Sequence, residues 1–134
     1  MLAGLGVARA DGLDPIALRQ TVMDLQNADF AYLRAVVAAK GDVKTLEGPA
    51  KAMGRSAGLL PTLFPVGSEK GGNTKALAEI WSDSAGFQKA STALADAATK
   101  LATAAKAGDA DEVAADVKLM GDQCGACHKS YRAR

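Results

Sequence analysis

Asp122-Gln123-Cys124-Gly125-Ala126-Cys127-His128 decides how this chain is read. It spells C-x-x-C-H, the attachment signature of a c-type haem. Each cysteine sulfur can add to one haem vinyl group as a thioether, and the histidine that follows can offer a ring nitrogen to the iron. The spacing has a physical reason. Cys124, Cys127 and His128 are three and four residues apart, so on a helix they share one face. One turn can then grip the macrocycle and also supply an axial ligand. Two other uses of the cysteines compete. A thiol-disulfide pair belongs beside a βαβ pattern, near a helix N-terminus, whereas this pair sits late in a helical pattern. A closed zinc site needs about four ligands, but the chain holds two Cys and one His in all.

The residues just upstream say where a haem would lie. Val113, Val117, Met120, Cys124, Cys127 and Tyr131 step four, three, four, three, four, so the cysteines continue the inward stripe of a fourth helix. That helix should start at Asp109 or Asp111, after the stop at Gly108. Before it, Phe87, Leu94 and Leu101 repeat every seven residues with Ala90, Ala97, Ala98 and Ala105 beside them, which predicts a third helix from Ser82 or Ser84 to Ala107. Ala78 to Trp81 reads as a short turn. Residues 61–76, with Pro61, Pro65 and three glycines, have no period and read as a long loop anchored by Leu63 and Phe64. Loops of that length usually cover something. Val43, Leu46, Ala50, Met53, Ala57 and Leu60 make the seam of a second helix, capped by Asp42 and ended by Pro61. Gly48-Pro49 interrupts it, so the helix proper is expected to begin at Pro49. Asp14-Pro15 is a cap followed by a first-turn proline. It opens a first helix that should run to about Ala39 and stop at Gly41. Ile16, Met23, Phe30 and Val37 set that helix's stripe, widened by Leu18, Val22, Leu25, Leu33 and Val36, with Arg19, Gln20, Gln26 and Asn27 close to the inward face.

Four amphipathic helices with mostly short connections imply one all-α domain, an antiparallel four-helix bundle. The composition agrees: 134 residues suffice for one core, and aromatics are only 4%. A net charge of +1 gives no reason to expect nucleic acid as a partner, and no apolar run is long enough for a membrane span. Residues 1–10 are apolar and end in Ala8-Arg9-Ala10, like the tail of an export signal with its cleavage site, so the domain is expected to cover 11–134 and to be periplasmic. Gly71-Gly72 is not a phosphate loop, because no Lys-Ser/Thr pair follows in register. With the one histidine committed to iron, no Ser-His-Asp set is available, and no enzyme activity is expected.

The sequence resembles the cytochromes c′ over nearly the whole domain. The resemblance is carried by Arg19-Gln20 with Met23, Leu63-Phe64-Pro65 with Gly67-Ser68, Glu79-Ile80-Trp81, Phe87, and Cys124-x-x-Cys127-His128 with Tyr131-Arg132. It implies a left-handed bundle with one covalent haem c and His128 as proximal iron ligand. It further implies a homodimer through the first two helices, where Ala31, Tyr32 and Ala35 face outward. The iron would be high-spin and five-coordinate, binding NO and CO and carrying electrons to a redox partner the sequence does not name. Arg19 and Gln20 would approach the haem propionates, and Asn73-Thr74 could add a hydrogen bond there. Arg132 could polarise the proximal pocket or simply stabilise a helix end. Met23 takes the distal position, where three readings stand. It packs over an open iron, it ligates the iron as in low-spin cytochromes of the c-556 type, or it is core. Trp81, Phe87 and Phe30 read as packing residues.

Overall fold

The computed structural model describes residues 12–134. The expected signal remnant and the domain start near Asp11 lie outside them. Four long helices, α1 (Pro15–Ala38), α2 (Glu47–Leu59), α4 (Ser84–Ala107) and α5 (Ala110–Tyr131), pack around one core, with a single turn, α3 (Glu79–Ser82), between loop and α4. α4 is the centre, lying against both α2 and α5, and α1 closes the bundle against the same two helices. Among the described residues there is no strand, only one isolated bridge between Ala76 and Arg132. None of the helices there is long and apolar enough to cross a membrane.

The seams of α2, α4 and α5 are those expected. Val43, Leu46, Ala50, Met53, Ala57 and Leu60 are buried, as are Leu94, Ala98, Leu101 and Ala105 opposite them, and Val113, Val117 and Met120 on α5. Small residues draw the helices close: Gly54 of α2 lies so near α4 that an added Cβ would touch the Ala98 methyl at 3.5 Å. Phe30 of α1 rests on Gly121 of α5, where a Cβ would meet its ring at 3.1 Å. Phe30 is thus a core residue, packed on the main cluster.

Several expectations about boundaries need correction. α1 stops at Ala38, and the left-handed residue is Lys40 (φ 50°), not Gly41. The Gly41 amide bonds to Val36 O at 2.9 Å and that of Lys40 to Val37 O at 3.1 Å, the paired bonds of a Schellman end. Gly41 sits close to the preceding turn, where a Cβ would meet Val36 Cγ1 at 3.3 Å. Asp42 caps a 3-10 turn, Val43–Leu46, rather than α2 itself. α2 begins at Glu47, so Pro49 is its third residue, where an absent N–H costs nothing. Leu60, expected in the second helix, and residues 61–63, expected as loop, together form another 3-10 turn, Leu60–Leu63. The stripe of α1 is shifted: Leu25 is 62% exposed, while Arg19 and Gln26 are buried beside Ile16 and Leu33. Gln26 finds its partner in α2, donating to Ser56 Oγ at 2.8 Å.

Candidate haem site

The last two turns of α5 carry Cys124, Cys127 and His128. Cys124 packs at the edge of the main core, and Cys127 against a second cluster of Ile80, Phe87 and Tyr131 with Phe64 and Trp81. Both thiols are free and half-buried. Beside them, where the start of α1 and the end of α5 diverge, lies a groove of about 340 Å³. Met23 lines it from α1, Phe64 from the loop, Ile80 from α3, Phe87 from α4, and Cys127, His128 and Tyr131 from α5. Gln20, Asp24, Asn73, Thr74, Lys75 and Arg132 add its polar lining. The groove thus brings together the predicted Arg19, Gln20, Met23, Thr74, Cys127, His128 and Arg132, with Cys124 one turn away on α5.

The loop is the roof, and it is fastened on both sides. Arg19 of α1 holds one side. Its Nη1 donates to Ser68 Oγ, and its Nη2 to Ser68 O and Thr74 Oγ1, each at 2.8 Å. Its guanidinium also lies 4.6 Å over the Phe64 ring. Gln20 adds a bond to Asn73 Oδ1 at 2.8 Å. On the other side, Leu77 N bonds to Tyr131 O at 3.0 Å and Ala133 N to Lys75 O at 2.8 Å. Beneath the roof an aromatic series runs Trp81, Phe64, Phe87, Tyr131, each pair edge-to-face. Trp81 Nε1 donates to Phe64 O at 2.9 Å, so the indole is packing with its one donor satisfied.

Sequence reasoning missed the device that fixes the end of α5. Asp83 caps α4 by accepting from Gly86 N with Oδ1 at 3.2 Å, and with Oδ2 it accepts from the Tyr131 hydroxyl at 2.9 Å. Asp83 was not singled out between the candidate starts Ser82 and Ser84, and its tyrosine, 48 residues on, left no local trace. A Cβ on Gly86 would come 2.2 Å from Asp83 Oδ2 and 2.5 Å from the Tyr131 oxygen. Alanine for glycine inside a helix normally stabilises by about 1 kcal/mol. Here Gly86→Ala should instead destabilise by about 1–2 kcal/mol, through loss of the cap and the tyrosine bond. A raised melting temperature in that variant would refute this.

The site's chemistry can be tested against the two uses of its cysteines. Redox-active C-x-x-C pairs have lowered thiol pKa values. Here burial pushes both thiols up, and Cys124 pushes Cys127 up further. That is the reverse of the shift a thiol-disulfide pair needs. The far end of the groove asks for an anion. Arg19 is only 4% exposed, and none of the ion pairs among the described residues includes it. Burial pulls its pKa down, with Asp14 and Glu69 opposing from a distance. A buried cation with no contacting carboxylate is costly unless an anionic group arrives. Thr74 Oγ1 already accepts from Arg19 and from Ala76 N at 3.2 Å, so its hydrogen is left to donate. His128 is drawn to the low side of its ordinary pKa by partial burial and by Arg132, which favours the neutral imidazole. Among the described residues no group of three or more His, Cys, Asp or Glu could hold a bare metal ion. Thiols and imidazole at one end, an apolar wall, and a cation with a spare hydroxyl at the other fit a haem with its propionates.

Known proteins agree with this chemistry. The family model described as Cytochrome C' matches residues 14–132. A cytochrome c′ of Rhodospirillum rubrum is 34% identical over 128 residues, covering 92% of this chain and 87% of the relative. A nitric oxide complex of a variant of cytochrome c prime from Alcaligenes xylosoxidans superposes with a TM-score of 0.81 at 32% identity, covering 90% of this chain and 94% of that one. A cytochrome c-556 of Agrobacterium tumefaciens is 32% identical over a shorter span, 69% of this chain and 74% of the relative. With the match unbroken from the cap of α1 to the end of α5, the chain belongs to the cytochrome c′ family, and the haem c of that family is bound covalently here by the only two cysteines available.

Proposed function

We propose that this is a periplasmic haem protein whose iron is held by His128 alone, with the opposite position open to nitric oxide or carbon monoxide, and that it also carries electrons. Bound haem supplies an iron that changes valence and accepts a diatomic ligand. The observation that carries the reading is the wall of the groove. His128 is the sole imidazole of the chain, and from α1 only the Met23 thioether stands among the groove's side chains as a second candidate ligand. Met23 is half-buried and offers no hydrogen-bond donor. Dioxygen bound there would gain nothing for its partly negative outer atom, whereas NO and CO need no such donor. The nitric oxide complex of the Alcaligenes relative supports gas binding. Arg19, Gln20 and Thr74 hold the propionates, and Arg132 reaches the proximal side. This is binding and carriage rather than enzyme chemistry, since the one imidazole is spent on iron. Export is supported by the Ala8-Arg9-Ala10 pattern.

The alternative, favoured by the c-556 relatives, is a low-spin electron carrier with Met23 as sixth ligand. The proposal extends to a homodimer. Leu25 and Tyr32 of α1, seven residues apart, are 62% and 44% exposed, and Leu59 of α2 is 57% exposed. Absorption spectra and sedimentation of the purified protein test these statements together. A broad high-spin Soret band and a mass of two chains are expected. A sharp low-spin spectrum with a sulfur-to-iron band overturns the open site, a single-chain mass overturns the dimer, and a colourless protein made alongside a working maturation system overturns both haem readings.

A further inference from the structure

The imidazole of His128 has no hydrogen-bond partner of its own. A histidine that binds a metal usually gives its second ring N–H to a carboxylate or a carbonyl, which fixes the ring. Among the described residues, none of the side-chain hydrogen bonds or ion pairs includes His128. The ring is therefore placed only as well as the turn of α5 that carries it. That turn is the last of the helix, and it ends on Tyr131. Tyr131 follows Cys127 by four residues and His128 by three, so the three share one face. All three line the groove.

The side chain of Tyr131 ties this turn to α4. Its ring is 9% exposed and meets Phe87 edge-to-face, with centroids 5.3 Å apart. Its hydroxyl donates to Asp83 Oδ2 at 2.9 Å, while Asp83 Oδ1 accepts from Gly86 N. One carboxylate thus caps one helix and anchors the end of another, in room that Gly86 leaves free. Rotating the last turn about the helix axis would swing the imidazole across the groove and pull the phenol off Asp83. The bond from Leu77 N to Tyr131 O also grips this turn, but close to the axis. The phenol oxygen stands at the end of a long arm, where a small rotation becomes a large displacement. We infer that Asp83 and Tyr131 are a positioning pair that sets the approach of the His128 imidazole to the iron. The inference rests on His128 as the iron ligand, the reading given above. Shape rather than charge makes the pair work. Asparagine would serve in place of Asp83, its oxygen taking the Gly86 amide and its NH2 donating to the phenol oxygen. Serine caps a helix well, but its one short hydroxyl cannot hold Gly86 and Tyr131 together.

Resonance Raman spectra of the ferrous holoprotein test this through the iron–histidine stretching band, which reports the pose of the imidazole. Tyr131→Phe keeps the ring and loses the hydroxyl, and Asp83→Ser keeps the cap. Each should shift and broaden the band to the same extent, the double variant should move it no further, and Asp83→Asn should leave it at the parent position. An unmoved band in Tyr131→Phe and Asp83→Ser, even with lowered melting temperatures, would reduce the pair to a stabilising contact and refute the inference. A band displaced as far by Asp83→Asn as by Asp83→Ser would assign the effect to charge and overturn it too. If the parent lacks the band because Met23 fills the sixth position, the open-site reading falls alone. The hyperfine-shifted proton NMR signals of the His128 ring in the ferric proteins then decide, by the same pattern of variants. A parent whose His128 protons carry no hyperfine shift removes His128 as ligand, and the inference with it.

Discussion

Met23→Ala should raise the association rate of carbon monoxide with the ferrous protein by about tenfold or more, the equivalent of at least 1.4 kcal/mol of barrier. The thioether stands in the groove wall opposite the elements that carry His128, and a methyl in its place leaves the approach free. Because Met23 is only half-buried, the variant should lose about 1–2 kcal/mol of stability, less than a fully buried methionine would. The same variant separates the competing readings. With an open parent site the ferrous spectrum stays high-spin and only the rate moves. With Met23 bound to iron, the spectrum turns from low-spin to high-spin and the reduction potential falls as the thioether is lost. An unchanged rate and an unchanged spectrum would mean that Met23 neither crowds nor ligates.

Arg19→Ala should have the largest effect on the roof. Three hydrogen bonds of 2.8 Å disappear at once, and the carbonyl of buried Ser68 loses its donor. The expected cost is about 3 kcal/mol, or a melting temperature lower by about 10 °C for a domain of this size. Arg19→Lys should recover little, since one ammonium cannot reproduce a planar fork that serves Ser68 and Thr74 together. Amides of the loop should exchange with solvent faster in both variants while those of α4 keep their protection. Equal melting temperatures for parent and Arg19→Ala would show that the loop is held by something else.

These two residues mark the limit of what the chain's periodicity discloses. The seams of α2 and α4 were legible because their buried positions are filled by Leu, Met and Ala, residue types that declare their own burial. On α1 the same rule put Leu25 inside and erred, and it brought Arg19 only close to the inward face, because a guanidinium can go fully inside only when partners wait there. Its partners lie 49 and 55 residues away, in a stretch without a period. The attachment turn was legible for the converse reason: thioether and imidazole chemistry demands residues close together in sequence, so Cys124, Cys127 and His128 name themselves. The roof, the Asp83–Tyr131 bond and the space at Gly86 depend on pairings between distant segments, which spacing does not encode. Lys40 escaped because a left-handed helix end usually calls for glycine, and here the glycine is one residue later.

The backbone bonds between residues 75–77 and 131–133 also join the roof to the turn that follows His128. Being made by main-chain atoms, they survive any side-chain substitution there except proline, which has no N–H to give. The imidazole and the lid above it are therefore set by one another, and a proline at Leu77 or Ala133 is the single change that would uncouple them.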